Sequence, residues 1–272
     1  MKPSVDLTEA AVGLQRSLRR ASELPPGPDP KQARRFLELL RHPGGGCTEL
    51  RLLGAAWDAR GRLRRASDLS PAFAGSTLAG WFEDLDRLCG LVLRLSGVSA
   101  YVTINPVRRD LLARSDHRLS RARHTTRDED ILCLRWLYLD IDPIRPAEIS
   151  STEEELCAAV CRRDAILHDH PELAASALWG RSGNGAWILV RLPDYPNDPH
   201  HRSLVAEAVR VLDRDYSDSS VRIDPATVNP ARLIGLPGTL KAKGSHRPER
   251  PWRLATLEGI GPRADPLKQA NQ

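Results

Sequence analysis

The sequence predicts an α+β fold, and three features of it carry that prediction. Short apolar runs alternate with a two-residue period, most clearly in RWLYLDID at 135–142, which is the pattern of a pleated strand. Longer segments between such runs carry apolar residues at helical spacing. Successive strands also follow one another across short turns, as at 175–180 and 186–192, which suits antiparallel pairing better than strict strand–helix alternation.

Taken in order, residues 5–23 read as an amphipathic helix with Thr8 as its N-cap. The PPGPDP stretch at 25–30 ends it and marks a linker or turn. A helix then carries Phe36, Leu37 and Leu40 on one stripe, and GGGCTELRLLGA follows as turn and strand. Residues 78–97 read as helix through Trp81, Leu85, Leu88 and Leu91. SAYVTINPV at 99–107 is a β-branched and aromatic strand stopped by Pro106. The arginine-rich 108–130 stretch reads either as a solvated loop or as a segment whose arginines contact template or nucleotide. Beyond it come strand 132–141, helix 152–169, strands 175–180 and 186–192, helix 200–215, and strands 220–224, 232–236 and 250–256. The chain divides into residues 1–30 (helix and linker), a body at 31–258, and a linker-like tail at 259–272. There is no internal repeat.

The 272 residues are 41% hydrophobic, enough for a sizeable core, with a net charge of +5 and a pI of about 9.1. No apolar run reaches the roughly 18 residues of a membrane span, and the start lacks a secretory signal, so a cytoplasmic location without membrane contact is expected. The basic balance permits a nucleic-acid partner. Five scattered cysteines without a CxxC pair indicate a reduced compartment. Cys157, Cys161 and His168 fall on one helical face with His170 close behind. A zinc site and a buried helix face carrying two small thiols both fit that spacing, and the latter is favoured because structural zinc recruits ligands from two elements.

The carboxylates are more informative. In the 135–142 strand, Leu137, Leu139 and Ile141 point one way, whereas Trp136, Tyr138, Asp140 and Asp142 point the other. Asp140 and Asp142 therefore share a face with Cα atoms about 6.5–7 Å apart. Two such carboxylates repel, and a divalent cation between them relieves that repulsion. Asp224 ends a second short strand, with Val221 and Ile223 directed to the core and Arg222 and Asp224 to the other side. Arg232, Lys241 and Lys243 follow, the two lysines on one face. Three carboxylates for metal, with basic groups for phosphate oxygens, form a phosphoryl-transfer constellation. Glu49 and Arg51 read as surface or packing polars of a strand.

YVTINPV, RWLYLDIDPIRP, SGNGAW and DPATVNPARLIGLPGTLKAKG, in this order, resemble the archaeo-eukaryotic primase superfamily, nearest to the primase-polymerase domains of phages, plasmids and other mobile elements. The resemblance covers residues 31–258. It implies a bilobed catalytic fold, an N-terminal α/β unit packed on an antiparallel sheet similar to an RNA-recognition motif. It also implies metal-dependent nucleotidyl transfer from an NTP or dNTP to a primer 3′-hydroxyl on a single-stranded DNA template, beside a helicase in some systems. On this likeness Asp140, Asp142 and Asp224 are the catalytic carboxylates, holding two Mg2+ or Mn2+ ions. Ser182, Gly183, Asn184, Gly185, Trp187, Arg232, Lys241 and Lys243 would contact the nucleotide, the glycine turn through backbone N–H groups and the serine hydroxyl.

Where the family carries a histidine five positions after the serine, this chain has Trp187. Indole offers one N–H and no positive charge. Three readings stand open: a tolerated variant with phosphate binding shifted to the lysines, a tryptophan that packs in the core, or a site that binds nucleotides and no longer polymerises. The alternative function is accordingly a non-catalytic nucleic-acid-binding or replication-initiation module that keeps the fold.

Overall fold

The computed structural model describes residues 25–70, 76–95 and 97–265; the expected helix at 5–23 lies outside them. Two five-stranded antiparallel sheets organise the chain. The first has the order β11-β5-β1-β4-β6, formed by β1 (Thr48–Leu53), β4 (Thr77–Phe82), β5 (Ala100–Thr103), β6 (Ser120–Arg121) and β11 (Leu233–Gly235). The second has the order β10-β7-β9-β8-β14, formed by β7 (Cys133–Pro143), β8 (Ala177–Arg181), β9 (Ala186–Pro196), β10 (Val221–Ile223) and β14 (Thr256–Ile260). Two hairpin-like pairs complete the strands: β2 (Ala55–Trp57) with β3 (Leu63–Arg65), and β12 (Leu240–Lys241) with β13 (Arg253–Leu254). The mixed α+β class is as the sequence predicts.

The alternation in β7 is realised on both faces. Leu137, Leu139 and Ile141 pack with Ala159 and Ile166 of helix α4 (Glu153–Asp169) and with Val205, Val209 and Leu212 of helix α6 (Pro199–Tyr216). Trp136 and Tyr138, on the opposite face, join Trp187 and Leu189 of β9 in a core shared with the first sheet and with Phe36, Leu37 and Leu40 of helix α1 (Pro30–Leu40). The second sheet is thus covered by helices on one side and by the first sheet and α1 on the other. Of the remaining helices, α2 (Ala66–Leu69) and α5 (Pro171–Ala175) are single turns, and α3 (Leu85–Val92) adds Leu88 and Val92 to the shared core.

Helix ends follow their side chains. Asp29 caps α1 by accepting from the Lys31 and Gln32 N–H groups, directly after the proline run. Thr152 and Glu155 form a reciprocal capping box at the start of α4.

Three expectations need correction. Residues 78–83 are not helical: Trp81 and Phe82 lie in β4, paired with Glu49 and Thr48 of β1, and the helix starts only after Asp84, which caps it. Pairing with β1 overrides the local apolar spacing. The 108–130 segment is not simply solvated, because Leu111, Ser115, Thr126 and Asp130 are buried and Ser120 and Arg121 pair with β4. The tail does not begin at 259: β14 runs to Ile260, Ala264 is buried, and Asp265 accepts from Arg35.

Candidate active site

The site forms because one segment passes from the second sheet to the first. β10 pairs antiparallel with β7, with Arg222 opposite Asp142 and Ile223 opposite Ile141. The register then extends by one residue, since the Asp224 N–H donates to the Asp140 carbonyl at 3.0 Å. Asp224 consequently stands opposite Asp140, a relation that puts Cβ atoms about 5 Å apart. The Asp224 side chain accepts from the Ala226 N–H and caps a short 3₁₀ turn at Pro225–Val228. From there the chain reaches Arg232 and enters β11 at the edge of the first sheet.

Arg232 connects the acids. Its Nη2 lies 4.0 Å from Asp140 Oδ2 and 3.8 Å from Asp224 Oδ2, with its guanidinium over the Tyr138 ring. Arg145 stands 3.5 Å from Asp142. Arg232 thus bridges the acids of two strands, while Arg145 stands at Asp142 on the same face of β7; among the described residues the three carboxylates do not all come within 4.8 Å of one another.

A cleft of about 380 Å3 opens over this group, within the range of small-molecule sites. Its floor is Tyr138, Asp140 and Asp142; its opposite wall comes from the first sheet through Arg51, Tyr101 and Leu233. Five cationic side chains, Arg51, Arg145, Arg232, Lys241 and Lys243, line it against two carboxylates, a balance suited to a polyanion. The Lys241 ammonium donates to the Tyr101 hydroxyl and sits over that ring. Arg51 is aimed by a bidentate pair with Glu49, which is fully buried and also accepts from the Thr126 N–H. A recess of similar volume beside Glu38, Arg41, His42 and Glu83 lacks this convergence of acids and lysines.

Burial first, and the Asp142 charge second, push Asp140 up to about 7; Lys241 and Arg232 pull the other way without cancelling them. Burial raises the Tyr138 hydroxyl well above its ordinary value, so it stays protonated.

The glycine turn is built differently from expectation. The Ser182 hydroxyl accepts from the Gly185 N–H at 2.9 Å and the Asn184 N–H at 3.4 Å, so those two N–H groups close the turn and do not face a ligand. Gly183 adopts φ +92°, the left-handed region that favours glycine. At Gly185 a Cβ would stand 2.6 Å from an Asp142 carboxylate oxygen, so the missing side chain lets the turn close onto the acid. Ser182 and Asn184 line the cleft, whereas Gly183 faces a separate recess beside Trp252 and Arg253. Asn184 is buried, its Oδ1 accepts from the Ser151 N–H, and its Nδ2 has no hydrogen-bond partner among the described residues.

Trp187 is corrected outright. It stands opposite Asp140 across the β7–β9 ladder, yet it is fully buried and its ring meets Phe36 edge-on at 5.6 Å. It does not line the cleft. Of the three readings, core packing is the one the structure supports. Sequence reasoning missed Tyr101, Tyr138, Arg145 and Asn229 as cleft residues, and it set Arg51 aside as packing.

Cys157 and Cys161 are exposed and the first interacts with the second, without joining a metal-ligand group among the described residues. His42, Cys133 and Asp194 do bring one ligand atom each within 4.8 Å of one another. There Asp194 is already engaged by Arg135 and Arg191, and burial pushes the Cys133 thiol up to about 11. This cluster is an ion-pair knot in which two arginines oppose a further cation. The hard oxygen donors of Asp140, Asp142 and Asp224 suit Mg2+ or Mn2+ better, and a cation there would relieve the charge that burial and Asp142 disfavour on Asp140.

No protein-family model and no curated protein matches the chain. Among solved structures it is similar to the AEP domain of the cyanophage S-2L primase-polymerase (PrimPol), with a TM-score of 0.46 and 14% identity over 90% of this chain and 98% of that one. It is also similar to primase RepB′, with a TM-score of 0.40 and 12% identity over 87% of this chain. The chain spans 57% of the length of RepB′. At these overlaps the functional reading rests on the site's own residues. No helix among the described residues is long and apolar enough to cross a membrane.

Proposed function

We propose that the protein is a primase-polymerase of the archaeo-eukaryotic type, transferring a nucleotidyl group from an NTP or dNTP to a 3′-hydroxyl on a single-stranded DNA template. The observation that carries this reading is that Asp140 and Asp142 line a cleft rich in lysine and arginine, with Asp224 of the neighbouring strand brought beside Asp140 by strand register and Arg232.

Asp140, Asp142 and Asp224 would hold two divalent ions. Those ions, when bound, lower the pKa of the attacking hydroxyl and neutralise charge building on the phosphates. The chain's own groups do the rest. Lys241, Lys243 and Arg51 bind the triphosphate oxygens. Ser182, whose oxygen is committed to its turn, has its hydroxyl proton left to donate to one of them. In the reaction the 3′-oxygen forms a bond to the α-phosphorus, the bond from that phosphorus to the departing pyrophosphate breaks, and the hydroxyl proton passes to water or a carboxylate. Catalysis in such a site is positioning and electrostatics. Arg232 balances Asp140 and Asp224 and lines the same cleft as the lysines.

Primer synthesis and extension on single-stranded DNA, with Mg2+ or Mn2+, test this directly. Product that persists in the Asp140→Ala, Asp142→Ala double variant excludes the mechanism. A non-catalytic nucleic-acid-binding role is the second reading, favoured by Trp187 standing where the resemblance places a histidine and by no imidazole lining the cleft among the described residues. It predicts strand binding with no product in the wild type.

A further inference from the structure

The carboxylate group is reached from two sides. The nucleotide cleft presents Asp140 and Asp142, while a second recess of about 390 Å3 presents Asp142 and Asp224. Asp142, Arg145 and Lys243 border both. The acids therefore form a ridge between two depressions, one of them rich in lysine and arginine and the other not yet given an occupant.

The second recess is a built surface. Its shelf is Pro143, Ile144 and Pro146, and Ile144 is 54% exposed. Ile144 is fixed by its N–H, which donates to the Ser220 carbonyl at 2.8 Å. The nearly buried Arg145 side chain braces the shelf from behind by donating to the Pro143 and Ile149 carbonyls. Facing the shelf, Arg222 projects from β10 opposite Asp142, exposed and without an ion pair or hydrogen bond from its side chain among the described residues. Most arginines around the cleft already have acceptors, as Arg51, Arg145 and Arg232 do. Arg222 does not.

A transfer between two substrates needs both to reach the same acids from different directions. The triphosphate suits the cleft with Lys241 and Lys243. The remaining substrate carries the hydroxyl, and if it is a nucleic-acid strand it brings a phosphodiester one nucleotide upstream together with an apolar sugar and base edge. A free guanidinium opposite an exposed isoleucine between two prolines matches those two chemistries.

We infer that the groove between Ile144 and Arg222 holds the 3′ end of the DNA strand that supplies the attacking hydroxyl, with Arg222 on its terminal phosphodiester. This rests on the proposed function and deepens it by assigning the second substrate's place.

The test measures binding and kinetics separately. A fluorescently labelled primer–template duplex with a dideoxy 3′ end is titrated against wild type, Arg222→Glu and Ile144→Asp by anisotropy. Binding of a non-hydrolysable nucleoside triphosphate with Mn2+ is measured on the same proteins. The inference predicts that Arg222→Glu weakens primer–template binding at least tenfold at low salt and flattens its salt dependence by about one counterion. Ile144→Asp weakens it as well, and nucleotide affinity stays within twofold in both variants. In extension assays the loss falls on the KM for primer. Unchanged primer affinity in both variants, or equal losses for primer and nucleotide, overturns the inference. Failure of the underlying function looks different: the wild type then yields no extension product from an unblocked primer–template with Mn2+ and nucleoside triphosphate, whatever the two variants do to primer binding.

Discussion

Asp224 and Asp140 belong to neighbouring strands, and one backbone hydrogen bond of 3.0 Å sets them side by side while Arg232 faces both carboxylates. Their proximity follows from strand register, so it is as rigid as the ladder that makes it. Substituting Asp224 by Asn keeps the shape and the cap to Ala226 while removing the charge. It should cut nucleotidyl transfer by about 10³-fold or more, since several kcal/mol of charge stabilisation depends on the ions. Circular dichroism and melting should stay close to wild type. Single-turnover extension checks the first outcome.

The raised Asp140 makes stability depend on pH in the metal-free protein. Its folded value of about 7 lies above the ordinary value of 3.8. Below both values each state holds the proton and no penalty exists. Between them the unfolded chain releases a proton that the folded protein keeps, so stability falls as pH rises, and the penalty is complete above about 7. Asp140→Asn removes it. Thermal melts in chelator should show the variant more stable than wild type by roughly 3 °C or more at pH 8, and by clearly less at pH 5. A gain independent of pH would refute this account of Asp140.

The buried indole yields a different expectation. Trp187 fills space against Phe36 and leaves its Nε1 without a partner. Phenylalanine there loses volume and also removes an unsatisfied donor, so Trp187→Phe should cost only about 1–2 kcal/mol, measured by urea denaturation. Nucleotide affinity should hold within twofold. Trp187→His, in contrast, puts a polar ring into the core and should destabilise by about 3 kcal/mol or more without improving phosphate binding. A large gain of activity in that variant would contradict the core assignment.

Lys241 and Lys243 separate binding from folding. Lys241 is held by Tyr101, and both lysines line the cleft. Replacing either with Ala should weaken nucleoside triphosphate binding by about tenfold or more, the loss of one hydrogen bond to a charged group. Tyr101→Phe, which frees Lys241 from its hydroxyl partner, should have a smaller effect. Calorimetry with a non-hydrolysable triphosphate checks the order of these effects.

What could be read in the chain, and what could not, divides along a physical line. Asp140, Asp142 and Asp224 were legible because a two-residue period fixes which face each occupies, and the flanking Leu139, Ile141, Val221 and Ile223 are buried as that period requires. Helices at 153–169 and 199–216 were legible, within a residue at each end, from apolar residues at helical spacing. Arg51 and Tyr101 were not, because they enter the cleft only when the first sheet folds over the second, a contact that no local pattern encodes. Trp187 was misplaced for the same reason: its strand position was right, but what covers that face is α1, about 150 residues away in sequence. Residues 78–83 show the converse, where helical spacing yielded to pairing with β1.

The central claim is that carboxylates from two strands hold one divalent-ion centre, and Mn2+ binding followed by electron paramagnetic resonance tests it most directly. With a non-hydrolysable nucleoside triphosphate present, wild type should bind Mn2+, and Asp224→Asn should weaken that binding at least tenfold, as should Asp140→Asn. Mn2+ binding by Asp224→Asn indistinguishable from wild type would contradict the claim.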